Sequence, residues 1–198
     1  MFWDKVSPVY DFFENVYNKD VYNNIGRLVA EEITKSDIVL ECACGTGAIS
    51  RHIAPKCKFL VATDYSRGML KQAFKKCQKY GNVKVQYADM FRLDCRSERF
   101  DVVVAGNVIH LLDKPEDAIK ELMRVCREEG KVIIPTYINA EKKNNKMAVG
   151  ILNKMGADFK RQFTLDEYKK FFSDLGYKNV EYKVAEGRMP CAIAVITK

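Results

Sequence analysis

The chain has 198 residues, of which 47% are hydrophobic and 30% are charged, and its formal net charge is +7. This length and composition suit one globular domain and exclude a wholly disordered or collagen-like chain. Its apolar runs are far shorter than the roughly 20 residues that a membrane-spanning helix needs, and its first residues lack the basic-then-apolar order of a signal peptide. We therefore expect a cytoplasmic protein without a membrane span.

The cysteine and charge patterns argue against two kinds of site. The seven cysteines include no C-x-x-C pair, and His52 and His110 are the only histidines, so the spacing of a zinc site is missing and we predict no metal. We expect reduced thiols that serve as small apolar residues. The basic excess is divided between residues 37–98 and 138–198 without a basic tail or an arginine-rich stripe, which disfavours nucleic acid as a partner.

Two segments lie outside the repeating pattern of the chain. Residues 1–36 are predicted to form two helices, and we interpret them as a helical lid on the domain formed by residues 37–198. The second helix carries apolar residues at helical spacing, namely Val21, Ile25, Leu28, Val29 and Ile33. Residues 138–163 form a long connection, and such connections at the carboxyl ends of parallel strands often cover a site.

From residue 37 onward, short β-branched runs alternate with amphipathic stretches, a pattern typical of buried parallel strands joined by helices. The predicted strands span residues 37–42, 59–63, 83–88, 100–105, 131–137, 179–184 and 191–197. The last two have no helix-length segment between them, so we expect an antiparallel hairpin. The pattern predicts an α/β fold with a mostly parallel, seven-stranded sheet that ends in this hairpin.

Three helices are predicted between these strands from their start and stop signals. Ser66 can cap the first, which carries Leu70, Phe74 and Cys77 on one face. A second helix begins at Pro115, and Gly130 is expected to end it.

The last predicted helix has the clearest boundaries. Thr164 and Glu167 form a capping-box pattern, and Gly176 marks the stop. This helix leads into the predicted hairpin.

A tight turn of small residues follows the first predicted strand, from Glu41 to Gly47 (E-C-A-C-G-T-G). Gly45 and Gly47 allow positive φ and the close approach of a ligand to the backbone. A Walker loop would need a Lys-Ser/Thr pair, and a dinucleotide fingerprint would need a third glycine where the chain has Ser50. An acid at the start of the turn instead suits a cationic ligand group, although Glu41 could also simply cap the next helix.

Two further acids follow the next two strands. Asp64 ends the second strand, where a carboxylate can accept hydrogen bonds from both hydroxyls of a ribose. Asp89 follows the third strand, where it can accept from an adenine amino group. The three acids at successive strand ends predict a site for a nucleoside that carries a positive charge.

These motifs resemble those of the class I S-adenosylmethionine-dependent methyltransferases over roughly residues 37–137. The acid-x-Gly-x-Gly-x-Gly motif matches residues 41–47 with Ala43 in place of the first glycine, and later motifs match residues 64–70, 88–90 and 100–110. The resemblance implies a doubly wound, Rossmann-like fold and S-adenosylmethionine as the cofactor. The residues that it implies for the cofactor site are Glu41, Ala43, Gly45, Gly47, Asp64, Tyr65, Met69, Asp89, Met90 and Asn107.

The segment from Ser7 to Asp11 is similar to the Tyr-Asp segment of ubiquinone/menaquinone-biosynthesis-type methyltransferases. In that group the tyrosine often approaches the cofactor, which adds Tyr10 to the predicted cofactor-binding residues.

The reaction implied is in-line methyl transfer to a small-molecule acceptor. Since the methyl donor is already activated, the protein mostly has to align donor and acceptor and exclude water. This explains why no cluster of catalytic side chains stands out in the sequence. His110 could act as a general base or could pack under the Pro115 helix. The alternatives are a methyltransferase acting on RNA or protein, a non-catalytic S-adenosylmethionine-binding module and a nicotinamide-dependent oxidoreductase. The residues expected around the acceptor are Trp3, Tyr10, Phe12, Phe13, Met147, Met155 and Phe159.

Overall fold

The computed structural model describes Trp3, Asp4, Ser7 and residues 19–139, 160–187 and 189–198. Within this part of the chain, the helices are α1 (Lys19–Glu31), α2 (Ser50–Ile53), α3 (Arg67–Cys77), α4 (Pro115–Val125) and α5 (Leu165–Asp174). The strands are β1 (Ile38–Cys42), β2 (Phe59–Asp64), β3 (Val83–Tyr87), β4 (Phe100–Ala105), β5 (Cys126–Tyr137), β6 (Val180–Ala185) and β7 (Cys191–Thr197).

One seven-stranded sheet runs in the order β3-β2-β1-β4-β5-β7-β6. The pairs from β3 to β5 are parallel, and β7 is antiparallel to both β5 and β6. This confirms the predicted Rossmann-like sheet with its antiparallel hairpin. After β3 the strand order reverses and continues from the other side of β1, so the switch point lies between β1 and β4, where such sheets form ligand crevices.

Both faces of the sheet are covered by helices. Helices α4 and α5 pack into one hydrophobic core, while α1, α2 and α3 contribute to the other. Helix α1 buries Val21, Ile25 and Val29, as its spacing predicted, and Ile33 is buried just beyond its end. No helix in the described residues is long and apolar enough to cross a membrane.

The predicted end of α4 at Gly130 is wrong. The helix ends at Val125 because Cys126 adopts an extended backbone and pairs with Phe100 of β4. The register then shifts, and pairing resumes between Val102 and Lys131, so Gly130 lies inside β5. The helix therefore stops where its chain joins the sheet, several residues before the glycine.

The predicted inner face of α3 is also partly wrong. Ser66 caps the helix as expected, because its hydroxyl oxygen accepts from the Met69 N–H. The buried stripe, however, consists of Met69, Ala73 and Cys77, and Phe74 is 58% exposed. Apolar residues occur on both faces of this helix, and packing against the sheet selects the face with the smaller side chain at its centre.

The capping box of α5 is confirmed. The Thr164 hydroxyl accepts from the Glu167 N–H, and the Glu167 carboxylate accepts from the Thr164 N–H. The helix buries Tyr168 and Phe172 completely, and Gly176 follows it with a left-handed φ of 85°. These contacts anchor the helix on the sheet beside the hairpin strands.

Other predictions concern segments that the structure covers only in part. The first of the two N-terminal helices and most of the connection 138–163 lie outside the described residues, and the division of the chain at residue 36 stays a prediction. All seven cysteines are free thiols, and all except Cys95 are buried, in agreement with their predicted role as small apolar residues.

Candidate active site

A cavity of about 430 Å³ lies at the carboxyl ends of β1, β2 and β4, beside the switch point of the sheet. It brings together most of the residues predicted from the sequence. The predicted residues that line it are Glu41, Ala43, Gly45, Asp64, Tyr65, Met69, Asp89, Met90 and Asn107.

The turn after β1 owes its shape to three residues with left-handed backbone, Ala43 (φ 52°), Gly45 (φ 55°) and Gly47 (φ 83°). A Cβ atom at Gly45 would meet nothing within 4 Å, and this residue lines the cavity. A Cβ atom at Gly47 would lie 3.3 Å from Cα of Ala73 and 3.4 Å from Sγ of Cys77. The Cβ position of Gly47 thus faces α3, Gly47 is not part of the cavity wall, and its role in cofactor binding stays a prediction.

Asp64 ties the turn to the next strand. Its Oδ2 accepts from the Gly45 N–H and its Oδ1 from the Ser66 N–H, both at 2.8 Å. Each carboxylate oxygen carries two lone pairs, so this arrangement leaves acceptor capacity for ligand hydroxyls. Burial raises the pKa of Asp64, against the opposing effect of these backbone hydrogen bonds.

Glu41 is the most buried acid of the cavity wall, with only 1% of its surface exposed. The Ser50 hydroxyl donates to Oε2 of Glu41 at 2.5 Å. Burial raises the pKa of Glu41 to about 8, the hydrogen bond from Ser50 opposes this rise, and the nearby Asp64 carboxylate adds to it. A cation placed beside this carboxyl group would favour its ionised form.

The opposite end of the cavity is aromatic and carries the third acid. Oδ1 of Asp89 accepts from the Phe91 N–H at 2.9 Å. Tyr65, which is 50% exposed, and Phe91 line this end together with the buried Met90. The prediction missed Phe91, although an aromatic residue directly after the third motif is a usable signal. These groups suit a flat, hydrogen-bonding ring.

Asn107 follows β4 in the left-handed region, with a φ of 53°. Its N–H donates to the Pro135 carbonyl oxygen at 2.8 Å. A backbone contact of Asn107 with a ligand would therefore use its carbonyl group.

The remaining wall of the cavity is apolar and aromatic. Trp3, which was expected there, and Tyr22 of α1 contribute, together with Val108, Leu111 and Leu112 after β4. The Tyr137 hydroxyl donates to the Tyr22 hydroxyl. Sequence periodicity indicated that α1 packs inward but did not show that Tyr22 reaches the cavity.

The N-terminal residues are attached beside this wall through Asp4. Its Oδ1 accepts from the Ser66 hydroxyl at 2.7 Å and from the Gly68 N–H at 2.9 Å. These hydrogen bonds, with Gly68 as the larger influence, lower the pKa of Asp4. They hold the chain next to Trp3 at the start of α3.

His110 does not line the cavity. Its ring is 3% exposed, its Nδ1 forms a 2.9 Å hydrogen bond with Oγ1 of Thr136, and its centroid lies 5.8 Å from that of Tyr137. Burial lowers the pKa of His110 to about 3, which makes it a poor proton acceptor near neutral pH. This geometry favours the packing alternative over the predicted general base. Tyr10, which was also predicted to bind the cofactor, lies outside the described residues.

Residues 40–134 match the family model described as a methyltransferase domain. The chain is also 25% identical, over 209 aligned positions, to the demethylmenaquinone methyltransferase of Staphylococcus carnosus, an alignment that covers 93% of this chain and 84% of that protein. This chain is a class I S-adenosylmethionine-dependent methyltransferase.

Solved structures share the fold of this methyltransferase. One is a Thermotoga maritima protein described as a possible histamine N-methyltransferase, with a TM-score of 0.74, 19% identity and coverage of 100% of this chain and 99% of that chain. Another is DhpI in a complex with SAM and HEP, with a TM-score of 0.73, 19% identity and coverage of 98% and 94%.

The cofactor of the methyltransferase is S-adenosylmethionine, and the cavity fits it by its donor set. Three carboxyl groups, those of Glu41, Asp64 and Asp89, line the same cavity, which suits a nucleoside with cationic groups. The open space beyond Gly45 lets a ligand approach the backbone of the turn.

Proposed function

We propose that this methyltransferase transfers the methyl group to a small-molecule acceptor by in-line displacement. The observation that carries the proposal is the apolar and aromatic wall formed by Trp3, Tyr22, Val108, Leu111 and Leu112, in a cavity of about 430 Å³. Both the size and the lining are typical of small-molecule sites. The Staphylococcus carnosus relative is named for demethylmenaquinone, which supports the same class of acceptor.

In this proposal, each of the three acids binds a different part of the cofactor. Glu41 and the turn with Ala43 and Gly45 face the cationic methionine half, and Asp64 accepts from the ribose hydroxyls. Asp89 faces the adenine amino group. The hydrogen bonds from Gly45 and Ser66 support this assignment, because they fix the Asp64 carboxylate at the strand end.

The protein contributes to the reaction by aligning the methyl donor with the acceptor and by excluding water from the site. The bound cofactor supplies a methyl group on a sulfonium, which is already activated toward a nucleophile. The walls formed by Trp3 and Leu112 shield the acceptor from solvent, and Tyr22 adds to the same aromatic lining. His110 takes no part in this scheme, since it is buried behind the cavity wall.

The experiment that tests the proposal has two stages. Isothermal titration calorimetry first measures the affinity for S-adenosylmethionine and for its demethylated product, with NAD(H) as the comparison. Labelled S-adenosylmethionine is then added with the protein to a fractionated cell extract. We expect saturable binding of both sulfur nucleosides and label in the small-molecule fraction.

Each other outcome overturns a defined part of the proposal. Label in RNA or protein would contradict the small-molecule acceptor. Binding without label in any fraction would favour a non-catalytic binding module. Binding of NAD(H) alone would overturn the assignment of the acids. The Asp64→Ala variant, which we expect to transfer no label, is the control for contaminating methyltransferases.

A further inference from the structure

Glu41 of the cavity wall is hydrogen-bonded to Ser50, a buried residue that does not reach the cavity. Glu41 stands at the end of β1 with 1% of its surface exposed, and Ser50, fully buried, begins α2. The Ser50 hydroxyl donates to Oε2 of Glu41 at 2.5 Å. Glu41 lines the cavity and Ser50 does not, so the carboxyl group that Ser50 holds connects it to a ligand in the cavity.

Among the residues that the structure describes, the groups packed around this carboxyl provide no cation to balance it. From β2, the Asp64 carboxylate faces it and opposes a second negative charge. On α3, the Lys76 ammonium donates to the Thr46 hydroxyl at 2.8 Å, and so is directed at the turn. The remaining titratable neighbours are thiols, whose pKa values are raised by burial: Cys42, Cys44 and Cys77.

A buried carboxyl with a single hydroxyl donor and an acidic neighbour favours its neutral form. Burial accordingly raises the pKa of Glu41 to about 8, which favours the protonated carboxyl near neutral pH. A ligand cation that approaches Glu41 through the cavity reverses this preference, since it supplies the missing opposite charge.

We propose that Ser50 is a positioning residue for Glu41, and that the binding of the cationic cofactor displaces one proton from the Glu41 carboxyl to solvent. The inference rests on the proposed placement of the cationic half of the cofactor beside Glu41. The Ser50 hydroxyl keeps one carboxyl oxygen fixed in both protonation states. It also stabilises the ionised form, to which it is the charge-assisted donor.

The first test measures protons directly in the intact protein. S-adenosylmethionine is titrated at pH 7 by calorimetry in buffers of different ionisation enthalpy. We expect release of about one proton per cofactor, and an affinity that rises by up to about tenfold per pH unit between pH 6 and 8. Release of no proton together with a flat affinity profile would overturn the inference, while the binding itself would leave the proposed function standing.

Variants distinguish the contribution of Glu41 from that of Ser50. Glu41→Gln should bind more weakly, with no linked proton and a flat profile from pH 6 to 8. Ser50→Ala removes the donor that stabilises the ionised carboxyl, so its profile should shift to higher pH, with an affinity at pH 7 lowered by about threefold to tenfold. Ser50→Thr keeps the hydroxyl and should restore the wild-type profile.

The controls make each outcome decisive. Ser36→Ala, at an exposed serine, should leave affinity and proton release unchanged. A wild-type profile in Ser50→Ala would overturn the positioning role of Ser50. The proton count of the wild-type protein tests Glu41 even if the Ser50 variants do not fold. If wild-type protein binds neither S-adenosylmethionine nor its demethylated product, the proposed function fails as well, which is a different result from binding without proton release.

Discussion

The backbone N–H of Gly45 donates to Oδ2 of Asp64 at 2.8 Å, so the turn after β1 and the end of β2 meet at one carboxylate. The other oxygen of that carboxylate accepts from the Ser66 N–H at the start of α3. One side chain therefore joins three segments and also lines the cavity. The same residue that we propose to bind the ribose shapes the loop that receives the cofactor.

Replacing Asp64 by Asn should weaken both the site and the fold. An amide has one oxygen, so its NH₂ group would oppose either the Gly45 or the Ser66 N–H. We expect the affinity for S-adenosylmethionine to fall by at least about tenfold, and the free energy of unfolding by about 1–3 kcal/mol. Calorimetry and urea denaturation measure the two effects. Asp94→Asn, at an exposed aspartate, is the matched control, and an unchanged affinity would remove Asp64 from the site.

The two glycines of the turn should respond differently to alanine. Gly45→Ala adds a methyl group with no protein atom within 4 Å, so it should lower the unfolding free energy by only about 1 kcal/mol while weakening cofactor binding. Gly47→Ala combines a φ of 83° with close contacts to Ala73 and Cys77, and should cost about 2–4 kcal/mol of stability. Thermal denaturation and calorimetry on both variants check this contrast. Equal losses of stability would contradict it.

Trp3 is the only tryptophan in the chain and lines the cavity. Binding of S-adenosylmethionine should therefore change its fluorescence in a saturable way. Asp4→Ala removes the acceptor for the Ser66 hydroxyl and the Gly68 N–H, and should weaken cofactor binding by about threefold to tenfold because it loosens the wall around Trp3. Asp20→Ala, at an exposed aspartate of α1, serves as the control. An unchanged emission at saturation, verified by calorimetry, would place Trp3 away from the ligand.

The buried ring of His110 should make stability depend on pH. Its pKa is about 3 in the folded protein, below the ordinary value of 6.5, so the unfolded state takes up the proton first as the pH falls. The stability that comes from burying the neutral ring is complete above about pH 6.5 and is lost progressively toward pH 3. Each pKa unit corresponds to about 1.4 kcal/mol, so the loss is measurable well before pH 3.

His110→Gln should therefore flatten the fall in unfolding free energy between pH 6.5 and 4, as measured by urea denaturation. A comparison at pH 8, where the ring is neutral in both states, measures the combined loss of the ring's packing against Tyr137 and of its hydrogen bond with Thr136, which we expect to cost about 1–3 kcal/mol. If the variant instead folds normally but cannot transfer methyl groups, the general-base hypothesis for His110 would return.

The sequence by itself predicted the succession of strands along the chain, the terminal hairpin and the three acids that line the cavity. Strand and helix periodicities are local, and parallel strands place residues that follow them at one edge of the sheet. Glu41, Asp64 and Asp89 could therefore be assigned together without knowledge of their contacts. The capping box at Thr164 was equally predictable, since both of its hydrogen bonds join residues three positions apart.

The tertiary structure alone decided which way individual side chains face. The turn brings Gly45 to the cavity but Gly47 to α3, a distinction set by the packing of Ala73 and not by the glycine spacing. His110 is buried away from the cavity and Tyr22 lines it for the same reason, because burial depends on which elements pack together across the sheet. The pairing of Ser50 with Glu41 joins two elements whose relative position only the folded chain establishes, and the burial that raises the pKa of Glu41 likewise arises only in the folded chain.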